Sequence, residues 1–291
     1  MRISACITTR NRTQHLEACL QALWNSQVKP FSVVVSDDSP DVEVQQQNQD
    51  VVNKYPGTVY IQGPQTGVCG NRNNAVNATK DSETEFVAFV DDDILVEPDF
   101  LACAVEKYQQ LSPEERNNTI LSGVSKFNDE DALVPAKLSF QGHFLPSDAP
   151  ETVVIHAALF PRKFFTQEQW DENIYFGYED AELCLRAIKR GYKIISCPGM
   201  VVKSSITQSS TLDAPGIGGI SNYQLHIEAA RLYVGIKRYK NVFPNPLKLI
   251  AFVAVYFTQM SAYLFKNGAI QAWPEIIRRA RLGTLLQLSS I

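Results

Sequence analysis

The chain has 291 residues, of which 45% are hydrophobic and 20% are charged, and its formal net charge is −4. This composition excludes a disordered or low-complexity chain, and the charge indicates no nucleic-acid partner. The length suits one large α/β domain with an appendage. The charge is unevenly spread, because residues 223–291 hold nine Lys and Arg against two Glu, whereas residues 1–222 hold 18 Lys and Arg against 29 Asp and Glu.

Apolar runs typical of buried strands alternate with helical patterns through the first half of the chain. The predicted strands are residues 3–7, 31–35, 59–61 and 85–90, and the predicted helices are residues 13–23, 42–54, 72–79 and 98–110. Residues 67–71 are expected to form a loop. This alternation indicates an α/β, Rossmann-like fold with a mixed, mostly parallel sheet and helices on both faces.

The second half of the chain changes character along its length. Strands and loops are predicted over residues 119–160, with a β-rich excursion near residues 133–144. A helical pattern over residues 180–190 ends at Gly191, and a strand follows at residues 193–197. From residue 221 the pattern is purely helical and basic. We therefore predict an α/β domain over residues 1–220 and a basic, helical C-terminal extension over residues 221–291.

Residues 249–265 are 17 uncharged residues between Lys248 and Lys266. A membrane span needs about 20 apolar residues, and the polar residues of this run (Thr258, Gln259 and Ser261) weaken it further. We expect an interfacial helix or a helix packed on the core. The excess of Lys and Arg favours peripheral contact with an anionic membrane surface, and a basic solvated face is the alternative.

The six cysteines are scattered, without a Cys-x-x-Cys pair, and most lie inside apolar runs. Buried free thiols in a reducing compartment are the expected state. The chain passes from Met1 directly into a strand-like run, without the basic and apolar segments of a signal peptide. We expect a cytoplasmic protein, with the basic extension at the inner face of the cell membrane as a further hypothesis.

Three adjacent carboxylates, Asp91-Asp92-Asp93, follow the fourth predicted strand. Ligands of open α/β sheets bind beyond the carboxyl ends of the strands, and adjacent carboxylates repel one another there unless a cation is present. Hard divalent cations are often shared between one or two carboxylates and a diphosphate. In an extended segment Asp91 and Asp93 lie on the same side, so both are candidate metal ligands. A solvated turn is the alternative.

Two further turns carry candidate binding residues. Asp37 and Asp38 follow the second strand, where a carboxylate can accept hydrogen bonds from a nucleoside, and an ordinary Asx turn is the alternative. Gly67 and Gly70 allow a close backbone approach, and Arg72 can offer its guanidinium to phosphates.

Glu179 and Asp180 open the helix predicted in the second half of the chain, directly after an aromatic run at residues 175–178. Acids in the first turn of a helix often do no more than complement the helix dipole. The functional interpretation is a general base at the mouth of the sheet.

Taken together, these motifs resemble those of the family 2 glycosyltransferases, which have the GT-A fold. The matching segments are Ile-Thr-Thr-Arg-Asn-Arg at 7–12, Val-Ser-Asp-Asp-Ser at 35–39, the Arg-Asn pair at 72–73, the Asp-x-Asp motif at 91–93, and Trp-Asp-Glu at 170–172 followed by Glu179-Asp180, Leu183, Arg186 and Gly191. They occur in the order of that family over residues 3–200. The resemblance implies a GT-A catalytic domain over residues 1–220 and an inverting, nucleotide-sugar-dependent enzyme.

The resemblance also implies a role for each matching residue. Thr8 and Asp38 would contact the nucleoside of the donor, with Arg10 nearby, and Arg72 would lie near the base or the phosphates. Asp91 would bind the ribose or uracil side of the donor. Together with Asp91, Asp93 would hold Mg²⁺ or Mn²⁺ on the diphosphate. Asp180 would be the catalytic base, and Glu179 is the second candidate.

The chain departs from the family pattern near the metal. Many relatives have a His shortly after the strand that follows the Glu-Asp helix, whereas this chain has Ser204 at about that place, and His226 lies too far along. We expect a weaker metal site or one completed by water, and Lys203 is a candidate for contact with the leaving diphosphate. Residues 209–221, with Pro215 and three glycines, are a candidate lid or an ordinary linker.

The implied reaction is a single displacement that moves a hexosyl-type sugar from a UDP- or dTDP-type donor to a hydroxyl of a glycan or lipid-linked acceptor, as in polysaccharide biosynthesis. Two alternatives stay open: a nucleotidyltransferase, and a non-catalytic member of the family that binds a nucleotide sugar or a glycan. An NAD-dependent dehydrogenase is disfavoured, because no Gly-x-Gly-x-x-Gly motif follows the first strand.

Overall fold

The computed structural model describes residues 1–79, 83–204 and 215–287. The strands are β1 Ile3–Thr9, β2 Ser32–Asp37, β3 Thr58–Gln62, β4 Phe86–Asp91, β5 Ile94–Val96, β6 Thr119–Phe127, β7 Glu130–Leu133, β8 Ala136–Leu138, β9 Phe144–Pro146, β10 Ala158–Pro161 and β11 Lys193–Ser204. The helices are α1 Thr13–Trp24, α2 Val42–Val52, α3 Val68–Asn77, α4 Phe100–Gln109, α5 Pro113–Asn117, α6 Glu179–Lys189, α7 Asn222–Lys237, α8 Pro246–Lys266, α9 Trp273–Arg279 and α10 Leu282–Gln287.

The described residues form one nine-stranded sheet and a separate β8–β9 hairpin. The order along the sheet is β3-β2-β1-β4-β10-β6-β11-β5. Strand β7 pairs with the C-terminal end of β6, at residues 125–127. Strands β3, β2, β1 and β4 are mutually parallel, whereas β10 is antiparallel to both β4 and β6. The predicted mixed, mostly parallel sheet is therefore confirmed.

Alternate residues of the central strands pack into two separate cores, one on each face of the sheet. On β1, Ala5 and Ile7 point to the core covered by α1 and α4, and Cys6 points to the core covered by α3 and α6. Both cores are built from side chains that are almost fully buried. The predicted arrangement of helices on both faces is confirmed, and the carboxyl ends of β1, β2 and β4 open at one edge of the sheet.

Two element boundaries differ from the predictions. Residues 67–71 do not form a loop, because α3 begins at Val68 with Gly67 as its N-cap at φ = 100°. The last strand does not end near Cys197. It continues along β6 to Ser204. The pairing register with β6 shifts between Ser196 and Val201, and Pro198 lies within this shift, so it does not end the strand.

The basic extension packs against the α/β core. Tyr233 and Val234 of α7 are buried in the same core as α6. Lys237 at the end of α7 forms ion pairs with Asp171 and Glu182, both at 2.6 Å. The sequence indicated a basic segment, but it did not indicate that Lys237 of this segment forms ion pairs with the α/β core.

Helix α8 lies over α7 through Phe252, Tyr256 and Met260, which are buried. Within the described ranges, α8 is the helix that is long and apolar enough to cross a membrane, with a mean hydropathy of 1.4 over an 18-residue window of which 22% is buried. Its outer side leaves Leu247, Ile250 and Phe265 exposed.

All six cysteines are free thiols, and five of them are buried, as predicted. Residues 209–214 of the candidate lid lie outside the described residues.

Candidate active site

A cleft of about 740 Å³ opens at the carboxyl ends of β1, β2 and β4. Its lining includes the eight residues to which the family resemblance assigns a role, namely Thr8, Arg10, Asp38, Arg72, Asp91, Asp93, Glu179 and Asp180. These residues come from segments that are far apart in the chain, and the parallel strands bring them to one edge of the sheet. The expected convergence of the motifs is therefore a property of the fold.

The ends of β1 and β2 form one side of the cleft. Thr8 lies between Ser36 of β2 and Asp91 of β4 in the sheet register. Asp38 accepts a hydrogen bond from the Gln65 amide at 2.9 Å. Burial raises the pKa of Asp38, although the Gln65 amide and Arg10 oppose this rise.

Of the two carboxylates that follow β2, only Asp38 lines the cleft. Asp37 is buried, and it accepts hydrogen bonds from the Ser39 amide, Asn48 and Tyr60 at 2.8 to 2.9 Å. Asp37 therefore holds the turn together, whereas Asp38 is available to a ligand.

Arg72 is a buried cation on α3, with 3% of its surface exposed. Its guanidinium donates to Asp91 at 3.1 Å and to Glu179 at 3.0 Å, and it lies 5.0 Å from the centre of the Trp170 ring. Burial of Asp91 alone would raise its pKa, but Arg72 and His156 outweigh this effect and hold the pKa below its ordinary value. Arg72 thus joins the end of β4 to the start of α6.

His156 is a cleft residue that the sequence analysis missed. Its Nδ1 lies 3.6 Å from the Asp91 carboxylate, and its side chain is largely buried. A single His inside an apolar segment carries no spacing signal, so only the antiparallel placement of β10 beside β4 brings it to Asp91.

The acidic motif does not remain extended through its three residues. Asp91 ends β4, and Asp92 and Asp93 form the turn into β5. Arg12 donates to Asp92 at 3.1 Å and to Asp93 at 2.8 Å, and the Thr9 hydroxyl donates to Asp92 at 2.7 Å. Burial raises the pKa of Asp92 to about 7 against the attraction of Arg12. Asp91 and Asp93 both line the cleft, but Asp93 reaches it through the turn and not because side chains alternate along an extended strand.

The cleft fits a metal ion that is shared with a ligand better than one held by the protein alone. Within residues 1–79, 83–204 and 215–287, no group of three or more His, Cys, Asp or Glu is placed to hold a metal ion. Asp91 and Asp93 nevertheless offer hard oxygen ligands, and Mg²⁺ is commonly bound by one or two carboxylates plus substrate phosphates.

Ser204 and Lys203, the two residues near the position expected for a third metal ligand, have different surroundings. Ser204 lines the cleft. Lys203 forms ion pairs with Glu97 at 3.0 Å and with Asp129 at 3.1 Å, and it is not among the residues that line the cleft. Successive residues of a strand point to opposite sides, so the expectation that Lys203 contacts a diphosphate in the cleft is wrong.

Glu179 and Asp180 form the first turn of α6, after Tyr178 in a left-handed conformation. One Glu179 oxygen is bonded to Arg72, and the other is buried without a hydrogen-bond partner in the described structure. Burial and the neighbouring Glu179 carboxylate raise the pKa of Asp180 to about 7. Asp180 is therefore the better placed of the two to exchange a proton near neutral pH.

Known proteins resemble this chain in sequence and in fold. Residues 4–165, more than half of the chain, match the family described as "Glycosyl transferase family 2", and the chain belongs to that family. A curated relative, the GalNAc(5)-diNAcBac-PP-undecaprenol beta-1,3-glucosyltransferase of Campylobacter jejuni, is 31% identical over 98 residues, which are 32% of this chain and 29% of that protein. The match therefore spans less than a third of the relative's length.

Solved structures show the same GT-A fold at low sequence identity. S. aureus TarS 1-349 in complex with UDP-GlcNAc has a TM-score of 0.62 at 16% identity, over 96% of this chain and 79% of that one. GalNAc-T7 with UDP, GalNAc and Mn²⁺ has a TM-score of 0.61 at 13% identity, over 92% of this chain and 58% of that one.

The substitution Arg72→Met tests the buried link between β4 and α6. The free energy of unfolding at neutral pH is expected to fall by about 3–5 kcal/mol, because the buried Glu179 and the partly buried Asp91 lose their shared cation. Arg72 lowers the folded-state pKa of Asp91, so its contribution is present above the unfolded-state pKa of about 4 and is lost as the pH falls further.

Denaturant titration at pH 7 and at pH 3 measures this difference. The control is Arg2→Met, which removes an exposed pair with Glu85 and should change stability little. Equal losses in the two variants would contradict the structural role of Arg72.

Proposed function

We propose that the protein is an inverting glycosyltransferase that moves a hexosyl-type sugar from a UDP- or dTDP-sugar to a hydroxyl of a glycan or lipid-linked acceptor. The observation that carries the proposal is the convergence of Asp38, Asp93 and Asp180 in one cleft. The S. aureus and GalNAc-T7 structures contain UDP or a UDP-sugar, which supports a donor of this class.

Residues at the ends of β1 and β2 would bind the nucleoside. Asp38 lines the cleft, and its carboxylate can accept hydrogen bonds from a base or ribose, while Thr8 lines the same cleft at the end of β1. Arg10 lines the same side and would add a positive charge near the phosphates. Asp91 would bind the ribose or uracil side of the donor, and its partner Arg72 would lie near the base or the phosphates.

Asp93, with Asp91, would hold a divalent cation, Mg²⁺ or Mn²⁺, together with the donor diphosphate, and the presence of Mn²⁺ in the GalNAc-T7 structure supports this assignment. Negative charge on the departing diphosphate is neutralised by such a cation when it is bound. Ser204 lines the cleft at the place where many relatives have a His, so its hydroxyl or a water would take that position.

Asp180 would act as the general base. It would take the proton of the acceptor hydroxyl while that oxygen forms a bond to the anomeric carbon and the bond to the diphosphate oxygen breaks. Attack opposite the leaving group inverts the anomeric configuration. A carboxylate with a pKa near 7 accepts a proton more readily than an ordinary Asp, which suits this role.

The variant Asp180→Asn is expected to keep donor binding and to lose turnover by about 10²–10⁴-fold. The base must be ionised to accept a proton, so in the wild type kcat/KM should rise with pH up to about 7, the pKa of Asp180, and then level off. Nucleoside diphosphate release measured from pH 5 to pH 9 checks both statements.

The matched control is Asp92→Asn, since Asp92 has a similarly raised pKa of about 7. This variant should retain the inflection near pH 7. If the inflection moved with Asp92 and not with Asp180, the assignment of the base would be wrong.

The variant Asp93→Ala is expected to abolish the metal-dependent part of donor binding. Titration calorimetry with UDP, with and without Mn²⁺, should show at least about a tenfold gain from Mn²⁺ in the wild type and none in the variant, because a carboxylate ligand is lost. Asp129→Ala, at an exposed carboxylate outside the cleft, should behave like the wild type. A Mn²⁺ gain that survives in Asp93→Ala would remove Asp93 from the metal site.

A thermal-shift panel of UDP-, dTDP- and GDP-sugars with Mg²⁺ or Mn²⁺ tests the donor class itself. Release of pyrophosphate from a nucleoside triphosphate would instead support a nucleotidyltransferase. Donor binding without any sugar transfer or hydrolysis would support the non-catalytic alternative.

We further propose that α8 lies on the anionic inner face of the cell membrane. Leu247 and Phe265 are each 81% exposed on its outer side. Lys248 and Lys266 lie beside them, and between residues 229 and 287 the chain has Glu275 as its single acidic residue. An apolar stripe with basic neighbours is typical of interfacial helices. The relative from Campylobacter jejuni is named for an undecaprenol-linked substrate, which supports a membrane location.

The double substitution Leu247→Asp with Phe265→Asp tests this contact. Co-sedimentation with phosphatidylglycerol vesicles should fall by at least about tenfold, because two apolar side chains no longer enter the interface. Val42→Asp, at an exposed position on α2, should leave binding unchanged. Equal sedimentation of all three proteins would contradict the membrane contact.

A further inference from the structure

Part of the cleft wall is apolar and exposed. Leu133, Val134, Phe144 and Tyr223 all line the cleft, yet they remain 54%, 43%, 43% and 52% exposed, respectively. We call these four residues the apolar rim. Apolar side chains gathered in a cleft and left open to solvent are typical of a surface that a ligand covers.

The apolar rim is joined to the candidate base. Phe144 packs on Tyr178 with ring centroids 4.9 Å apart, and Tyr178 directly precedes the turn that carries Asp180. Tyr223 packs edge-on against Phe176 at 5.6 Å, in the same short segment. A group that sits on the rim is therefore held next to α6.

The rim is also separated from the nucleoside side of the cleft. Strand β7, which ends at Leu133, pairs with β6, and β10 and β4 lie between β6 and the donor-side strands β1 and β2. Leu133 therefore lies on the side of the cleft away from the nucleoside-binding strands, which is the side that an acceptor would enter.

The charges of the cleft favour an uncharged occupant for the rim. Among the described lining residues, the Lys and Arg side chains are Arg10, Arg12 and Arg72, and all three lie with the acids at the ends of β1, β2 and β4. Arg231, near the β8–β9 hairpin, is buried and is hydrogen bonded to Glu228 and to the Gln141 carbonyl. No lining cation of the described chain is left beside the rim for a phosphate.

We propose that the apolar rim binds an apolar aglycone of the acceptor, an alkyl or aryl group attached to the sugar whose hydroxyl Asp180 deprotonates. This inference rests on the proposed glycosyl transfer and specifies its acceptor. Each methylene group removed from water strengthens binding by about fourfold, so an acceptor with such a group is favoured over the free sugar.

Binding of methyl and octyl glycosides of glucose, galactose and N-acetylglucosamine tests the rim. Ligand-observed NMR with UDP and Mg²⁺ present, below the micelle concentration, should give at least about tenfold tighter binding of the octyl member of a pair. Phe144→Ala should reduce this preference several-fold, and Tyr223→Ser should do so independently. The matched control is Phe31→Ala, because Phe31 is 44% exposed at the other end of β2 and does not line the cleft.

Equal binding of the methyl and octyl glycosides by the wild type would overturn the proposal, as would equal losses in Phe144→Ala and Phe31→Ala. UDP affinity measured on each variant shows that it is folded. Donor hydrolysis by the wild type shows whether a negative result concerns the rim assignment alone or the glycosyltransferase reaction. If UDP-sugar is hydrolysed but the octyl preference is absent, the rim assignment alone is wrong. If the octyl preference is present without donor binding or hydrolysis, the glycosyltransferase reaction is wrong and the rim remains an apolar binding site.

Discussion

The cleft depends on one buried cation. Arg72 lies between Asp91 at the end of β4 and Glu179 at the start of α6, two residues that are 88 positions apart in the chain. Without a cation, the buried Glu179 and the partly buried Asp91 would destabilise the fold. By pairing with both, Arg72 fixes the distance between the segment that carries the metal candidates and the segment that carries the candidate base.

The acidic residues of the cleft outnumber the arginines that pair with them. Asp91, Asp92, Asp93, Glu179 and Asp180 line the cleft, and two arginines, Arg12 and Arg72, are hydrogen bonded to four of these five acids. The remaining negative charge, together with burial, is reflected in the raised pKa values of Asp92 and Asp180, both about 7. Such a site attracts a cation, and it accepts a diphosphate readily only when the diphosphate brings one with it. The electrostatics of the protein and the proposed metal-bound donor are therefore consistent.

The sequence predicted the central strands well, because the runs at residues 3–7 and 85–90 are largely apolar and are followed by the polar residues Thr8 and Asp91. It predicted the chosen cleft residues because topology brings strand ends together. The sequence did not predict the features that depend on contacts between residues far apart in the chain. The polar start of α3 resembles a loop in sequence, but Asn71 donates to the Ser36 carbonyl and Asn73 is hydrogen bonded to Trp170 and Glu172, contacts that only the fold creates. His156 and the rim residue Tyr223 carry no local pattern at all.

The C-terminal helices connect the apolar rim of the cleft to the exposed face of α8. Helix α7 contributes Tyr223 to the cleft and holds Asp171 and Glu182 through Lys237, while α8 covers α7 from outside. Phe140, in the hairpin that carries the rim residue Phe144, packs edge-on against Phe252 of α8 with ring centroids 6.5 Å apart. The apolar rim and the outer stripe of α8 thus belong to one packed unit. If α8 lies on a membrane, this packing fixes the orientation of the rim relative to that surface.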